Sequence, residues 1–397
     1  MKRERQLMPA GRARRWLTRL GMAVAVLAVL ASGIYAWAWA STGRSGLARA
    51  VMWRDADVKD YLRFPSRIIR AGRPLPLGRE PRDVESLAAP MTPGGDLRAF
   101  LARTKTAAFV VFSGNSVIYE RYFNGYHADS TVTTFSVAKS YVATLVGLAL
   151  DRGAISSIDD PITKYIPELL KRDERFGRIT VRNLLTMSSG LRWEEKGLPW
   201  SDDAVSYYGT DLRRVAVEHT GVVAPPGQRF SYNPYNALLL GLVLERATGT
   251  RVSDLMQRQL WQPMGAESDA SWSLDSKADG FEKMESGLNG RAVDLARLGL
   301  LYLHGGAMNG KQIVPRNWVT ESTAFSDASD PSTRYQYQWW TYRDPKVGDW
   351  FLARGNKSQF IAVFPRRGLV IARFGIDFDY ESWPALFPKI AAAITHG

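Results

Sequence analysis

The chain has 397 residues, 45% hydrophobic and 23% charged, a balance that supports a large buried core and excludes disordered and collagen-like chains. It has no cysteine, which excludes disulfide scaffolds, a thiol nucleophile, zinc ribbons, iron–sulfur clusters and a lipoprotein anchor. The four histidines (His127, His219, His304, His396) form no H-x-x-x-H pair and no tight cluster, so no histidine-built metal site is expected, although carboxylates remain able to hold a hard cation.

The formal net charge is +13, but Lys2, Arg3, Arg5, Arg12, Arg14, Arg15 and Arg19 against Glu4 put +6 of it on residues 1–19. That distribution argues against a nucleic-acid partner. From Leu20 to Ala40 the chain runs 21 residues without a charge, about the thickness of a bilayer core as a helix. Tyr35, Trp37 and Trp39 stand at its far end, where interfacial aromatics belong. Two readings fit residues 20–40. One is a retained single-pass anchor in the inner membrane, the basic tail 1–19 cytoplasmic and residues 41–397 periplasmic. The other is a secretory signal cleaved before Ser41. Both export the rest of the chain.

Residues 41–95, with Pro65, Pro74, Pro76, Pro81, Pro90 and Pro93, read as a loop-like connector ahead of a domain spanning 96–397. Ala107–Ser113 and Ser116–Phe123 around Gly114-Asn115 predict a hairpin. Phe360–Phe364 and Leu369–Phe374 around Pro365-Arg366-Arg367-Gly368 predict another. Between them Val137–Leu150, Val181–Met187, Asn236–Ala247 and Val293–Leu303 read as helices, the third stopped by Gly249. Ser382–Ile394 predicts a last helix. Strands from both chain ends and helices from the middle imply an α/β (α+β) fold. Its mixed, mainly antiparallel sheet is flanked by helices, with a helical lobe at about 130–290. No repeat or low-complexity tract is present.

There is no G-x-S-x-G, G-x-G-x-x-G or Walker A loop, which removes the usual α/β-hydrolase, dinucleotide and NTP signatures. What remains is Ser136-Val137-Ala138-Lys139, the one S-x-x-K, at the start of the apolar helix. Spacing i, i+3 puts hydroxyl and amine on one face. Free N–H groups and the helix dipole there favour a developing alkoxide, and a partly buried lysine can take the serine proton. Alone, the pair reads first as a serine N-cap with an exposed lysine one turn on.

The surroundings decide. Thr134-Phe135-Ser136-Val137-Ala138-Lys139-Ser140 resembles the nucleophile motif of serine β-lactamases and penicillin-binding proteins, in the class C-like branch with family VIII esterases and 6-aminohexanoate-dimer hydrolases. The resemblance continues through Ile179–Leu191 (ITVRNLLTMSSGL), Pro226–Asn233 (PGQRFSYN), Leu238–Gly241, Asp294–Gly299 (DLARLG) and Ala353-Arg354-Gly355 before Phe360. It covers roughly residues 96–395.

The resemblance implies a β-lactamase-like fold and an acyl-enzyme mechanism that needs no cofactor. Ser136 is the implied nucleophile, with Lys139 and Tyr232 moving protons. Tyr232 occupies the tyrosine of a Y-x-N motif whose third position is Pro234, leaving Asn233 and Asn236 as candidate substrate contacts. Ala353-Arg354-Gly355-Asn356 replaces K-T-G, which implies an oxyanion hole from the backbone amides of Ser136 and Asn356, with Arg354 and Gly355 beside substrate. Lys357-Ser358-Gln359 mimics the motif in poorer register. Tyr335, Tyr337, Trp339 and Trp340 are read either as pocket wall or as packing, and Asp202-Asp203 as a solvated loop. Trp193 with Glu194-Glu195 is read as a cleft rim. The expected partner is a small-molecule ester or amide. The alternatives are a β-lactamase or D-Ala-D-Ala carboxypeptidase-like enzyme, and a catalytically weak binding protein on the same scaffold.

Overall fold

The computed structural model describes residues 10–41, 45–277, 279–325, 334–378 and 380–394. The first nine residues of the basic tail and His396 lie outside them. The chain divides into two units. Ala56–Glu194 and Asp211–Gly397 form the larger, and the residues up to Asp55 with Glu195–Thr210 form the smaller.

In the larger unit an eight-stranded sheet is assembled from both ends of the sequence. Its strands, with those of two smaller sheets, are β1 (Ser66–Ile69), β2 (Gly78–Arg79), β3 (Thr106–Ser113), β4 (Ser116–Tyr122), β5 (Thr131–Thr133), β6 (Ala270–Ser273), β7 (Leu288–Arg291), β8 (Ala307–Met308), β9 (Lys311–Gln312), β10 (Tyr335–Gln336), β11 (Trp339–Asp344), β12 (Gly348–Gly355), β13 (Gln359–Phe364) and β14 (Leu369–Gly375). The large sheet runs β10-β11-β12-β13-β14-β3-β4-β2, antiparallel except where β2 joins β4. Both expected hairpins are present. Gly114 at φ +54° turns the first and Gly368 at φ +62° the second, a conformation that costs glycine little. Apolar side chains occupy both faces of β13 and β14, the pattern of strands covered on two sides.

One face is covered by the terminal helix Trp383–Ile394 with Leu97–Arg103, through Phe100, Trp383, Phe387 and Ile390 against Phe109, Phe360 and Ile371. On the other lies Ala292–Leu303. A side chain at Gly299 would drive into Val370 and Ile361 of the sheet, so glycine permits the close approach. Ala138–Asp151 is buried almost all round, as a core helix must be, and packs against Tyr235–Thr248. Gly249 ends the latter at φ +60°.

The connector 41–95 differs from its loop-like expectation. Val84–Ala88 is helical, β2 extends the large sheet, and β1 pairs with β6 in a four-stranded sheet ordered β1-β6-β7-β5. Strands of two to four residues carry too little alternation to be seen among prolines. The lobe at 130–290 is accordingly not all helical, since it contributes β5, β6 and β7.

The smaller unit contains one long helix, Ala10–Ser41, whose stretch Arg14–Trp37 is long and apolar enough to cross a bilayer. It also contains Ser45–Trp53 and Asp202–Tyr208. Arg49 Nη1 donates to the carbonyls of Tyr208 and Gly209 at 3.5 Å, and the Tyr208 hydroxyl donates to Arg54 O at 2.5 Å. Asp202 and Asp203 open a helix instead of lying in a solvated loop, and Asp202 is buried. Carboxylates in a first turn are favoured by the helix dipole.

Candidate active site

Strand β5 delivers the chain to Thr134, whose amide and hydroxyl both donate to Leu288 O, at 3.0 and 2.8 Å. Phe135 follows at φ +43°, with its ring buried. Ser136 then sits on a single 3-10 turn, Phe135–Val137, that runs straight into Ala138–Asp151. The i, i+3 spacing does what it predicts. Lys139 Nζ donates to Ser136 Oγ at 2.7 Å and to the main-chain carbonyl of Glu285 at 2.8 Å. Lys139 is 1% exposed, so the exposed-lysine alternative is excluded, and its Nζ lies 5.2 Å from the centre of the Tyr232 ring.

Tyr232 is carried by a loop tied to Met187–Arg192. Ser231 N donates to Met187 O at 2.8 Å. Asn233 Nδ2 donates to Leu191 O and Arg192 O at 3.3 Å, and Asn233 Oδ1 accepts from Tyr235 N. Asn236 Nδ2 donates to Asn233 O at 3.0 Å. Both asparagines are buried, and Asn233 spends its carboxamide on backbone. In the free protein these bonds hold the loop on which Tyr232 stands, and Asn236 Oδ1 is left without a hydrogen-bond partner among the described residues. Trp193 packs edge-on to Tyr235 at 5.1 Å.

An aromatic wall backs Tyr232. Trp340 stacks on it at 6.1 Å and 22°, Tyr335 meets it edge-on at 6.1 Å, and Phe230 lies 5.4 Å from Tyr335. The two readings of this group divide it: Tyr335 and Trp340 face Tyr232, while Trp339 and Tyr337 are fully buried core. The Tyr335 hydroxyl donates to Gln338 Oε1 at 2.9 Å, and burial pushes its phenol well above its ordinary range, with Tyr232 adding to the rise. Gln338 Nε2 in turn donates to Leu184 O and Leu185 O, and Ser140 Oγ donates to Gln338 O. Gln338 thus ties Tyr335 and the Val181–Leu185 helix together through its buried side-chain amide and the nucleophile helix through its main-chain carbonyl.

The end of β12 forms the opposite bank. A side chain at Gly355 would overlap the Thr134 carbonyl and come within 3.1 Å of Ser136 N, so glycine alone lets this strand reach the nucleophile turn. Asn356 follows directly. Arg354 is exposed, and its charge acts on Tyr342, whose phenol burial raises and Arg354 partly lowers. Lys357 turns away: its ammonium pairs with Asp377 at 3.0 Å and lies 5.6 Å from the Phe378 ring. The Lys357-Ser358-Gln359 alternative to K-T-G is thereby excluded in this structure.

Sequence reasoning passed over the residues behind these groups. Lys283 and Glu285 form a buried ion pair at 3.3 Å, and Ser286 Oγ donates to Glu285 Oε1 at 2.7 Å. Lys283 Nζ also lies 4.5 Å from the Phe64 ring. The one signal was three charges, Glu282, Lys283 and Glu285, in a short run, Phe281–Leu288, that the fold buries completely. No cluster of potential metal ligands occurs among the described residues.

The fold and the Ser–Lys–Tyr constellation define a serine hydrolase working through an acyl-enzyme. The chain belongs to the Beta-lactamase family, whose model matches residues 95–375. It is 29% identical over 316 residues to the 6-aminohexanoate-dimer hydrolase of Paenarthrobacter ureafaciens, covering 73% of this chain and 76% of the relative. A solved Bacillus anthracis structure, provisionally named a 6-aminohexanoate-dimer hydrolase, superposes with a TM-score of 0.75 at 23% identity, covering 87% of this chain and 94% of the other. A D-stereospecific amidohydrolase from Streptomyces sp. gives 0.57 at 18% identity over 79% and 98%.

Proposed function

We propose that the chain hydrolyses small linear amides or esters through an acyl-Ser136 intermediate, from a body held outside the cytoplasm by its N-terminal helix. The observation that carries the chemical part is the 2.7 Å contact between Ser136 Oγ and an almost fully buried Lys139, with Tyr232 alongside.

In this reading Ser136 Oγ attacks the substrate carbonyl as its proton passes to Lys139 Nζ. The Glu285 carbonyl keeps the lysine nitrogen aimed at the serine through this step. The oxyanion forms between the amides of Ser136 and Asn356, where two aligned donors lower the barrier by several kcal/mol, to order of magnitude. As the tetrahedral intermediate collapses, the leaving amine or alkoxide takes a proton from the Lys139–Tyr232 pair. Water then attacks the acyl group, giving its proton to the same pair, and Ser136 is regenerated.

Linear substrates are favoured over β-lactams because no lysine fills the K-T-G position and Lys357 is engaged by Asp377. A charge-assisted contact to a substrate carboxylate is worth roughly 1.5–3 kcal/mol, and Arg354 is the candidate for that role at the end of β12. The Paenarthrobacter relative is named for a 6-aminohexanoate dimer and not for a β-lactam, in keeping with this preference. Membrane attachment rests on the apolar stretch Arg14–Trp37, and its basic N-terminal flank favours a cytoplasmic tail.

Ser136→Ala should abolish labelling by a fluorophosphonate and all turnover while leaving the unfolding transition unchanged. Labelling that survives in this variant would show that another group is the nucleophile. A panel of p-nitrophenyl esters, linear amides, nitrocefin and D-Ala-D-Ala peptides then ranks the substrates, and a preference for nitrocefin would overturn the linear-substrate reading.

A further inference from the structure

The turn after the oxyanion strand is conformationally unusual. Lys357 lies at φ 55°, ψ 29° and Ser358 at φ 61°, two consecutive non-glycine residues in the left-handed region. Such residues persist only where surroundings over-determine them. Here the surroundings come from β13 and β14. Arg373, fully buried, donates from Nη1 to Ser358 O at 2.7 Å, from Nη2 to Thr104 O at 2.5 Å and from Nε to Thr106 Oγ1 at 3.1 Å, with its guanidinium 4.4 Å from the Trp383 ring. Gln359 Nε2 donates to Lys357 O at 3.0 Å and to Gly375 O at 2.8 Å, and its Oε1 accepts from Gly375 N at 3.1 Å. A side chain at Gly375 would overlap both Arg373 Nη1 and Lys357 O. Each carbonyl of the left-handed pair is therefore gripped by its own buried side chain.

We propose that Arg373 and Gln359 are positioning residues for the oxyanion hole, clamping the Lys357–Ser358 turn so that the Asn356 amide stays aimed at the developing oxyanion. This rests on the reading above that the amides of Ser136 and Asn356 form that hole. The clamp touches no substrate. It acts on the main chain one and two residues beyond the amide, while Gly355, one residue before it, is held against Thr134 and Ser136 by close approach. Releasing the turn lets the strained pair relax and rotates the donor out of line. A bound substrate carbonyl feels that little, whereas a tetrahedral oxyanion feels it fully.

The test uses the full chain with p-nitrophenyl butyrate as substrate and phenylboronic acid as the tetrahedral mimic formed on Ser136. Arg373→Met and Gln359→Leu should each lose about tenfold or more in kcat, with KM within threefold and boronate affinity falling by the same factor as kcat. Adding Ser358→Gly to Arg373→Met should recover part of both losses, because glycine adopts φ near +60° without a clamp. Unchanged kcat and boronate affinity in either folded variant would overturn the proposal, as would a loss confined to KM. Should Arg373→Met fail to fold, Gln359→Leu decides by the same thresholds. If neither folds, the pair holds the sheet and not the turn, and the proposal falls. Asn356→Pro separates this from the underlying reading, since it deletes the N–H itself. Boronate affinity unaffected by Asn356→Pro removes Asn356 from the hole. A loss of about a hundredfold there, with none in the clamp variants, removes the clamp alone.

Discussion

On the helical bank of the site, reacting groups are side chains whose mutual distance follows from helical spacing: Ser136 and Lys139 are three residues apart and 2.7 Å in contact. On the strand bank, the group expected to act is a main-chain amide, at Asn356, whose direction follows from two left-handed residues and the buried side chains of Arg373 and Gln359. The first bank is local in sequence and the second is not. Its parts come from residues 104, 106, 355–359 and 373–375. The difference teaches where such a site is vulnerable. Removing a side chain disables the helical bank at once, whereas the strand bank fails by degrees as its backbone loosens.

The largest expected effect sharpens that contrast. Lys139→Met removes the proton acceptor but keeps a stem of similar length in a buried slot. It should lower kcat by about 10²–10⁴, with KM changed less than threefold and the denaturation midpoint close to that of the parent. A loss below tenfold would shift the proton transfer to Tyr232 and make the banks more alike than the geometry indicates.

The next effect is on stability. Glu285 presents its carbonyl to Lys139 and its carboxylate to Lys283 inside the protein. Removing one partner of a buried ion pair costs about 3–5 kcal/mol because it strands the other charge, while replacing both by neutral groups of similar shape costs much less. Lys283→Met should therefore be markedly less stable to urea than Lys283→Met/Glu285→Gln. If the double variant is the less stable, the pair's charges stabilise the helical bank outright and the desolvation argument fails.

The unequal legibility of the two banks has the same origin. S-x-x-K is a spacing, and the sequence displays spacings directly. Tyr232 was reachable because its motif is contiguous. The loop-holding bonds of Asn233 and Asn236 were not legible, since a Y-x-N pattern with Pro234 in its third position says nothing about which carboxamides the neighbouring carbonyls will engage. Arg373 looked like one more residue of an apolar strand. Its only signal was a charge inside Leu369–Gly375, every residue of which is buried. Both hairpins and the helices around the core followed from periodicity. The two- and four-residue strands β2 and β1, and the grouping of Glu195–Thr210 with the N-terminal residues, depend on partners too distant for any local pattern.

Arg354 tests whether the strand bank selects substrate as well as stabilising charge. The residue is exposed and acts electrostatically on Tyr342 in the free protein, so little is lost structurally in Arg354→Ala. On matched neutral and carboxylated esters, kcat/KM of the variant should fall less than threefold for both. A wild-type preference of about tenfold for the carboxylated ester, abolished in the variant, would mark Arg354 as the stand-in for the missing lysine and favour the penicillin-recognising reading.

The smallest effect concerns pH and the outer end of the strand bank. The Lys357 hydrogen bond, helped by Phe378 N–H, holds the Asp377 carboxyl below the usual aspartate range, with Lys357 and Lys105 charges adding to the shift. A depressed carboxylate contributes stability above its unfolded value, about pH 4, and loses it as pH falls through the lower folded value. The tether on Lys357 is therefore complete at neutral pH and released only in acid. Asp377→Asn lacks it throughout. The ratio of variant to wild-type fluorophosphonate labelling rates should lie modestly below one at pH 7 and rise toward one as the wild type is acidified below pH 4. Because the Asp377 carboxylate is more than half exposed, the deficit at pH 7 should stay within about threefold and shrink in high salt. A ratio that is flat with pH would mean that Arg373 and Gln359 hold the turn without help from its lysine.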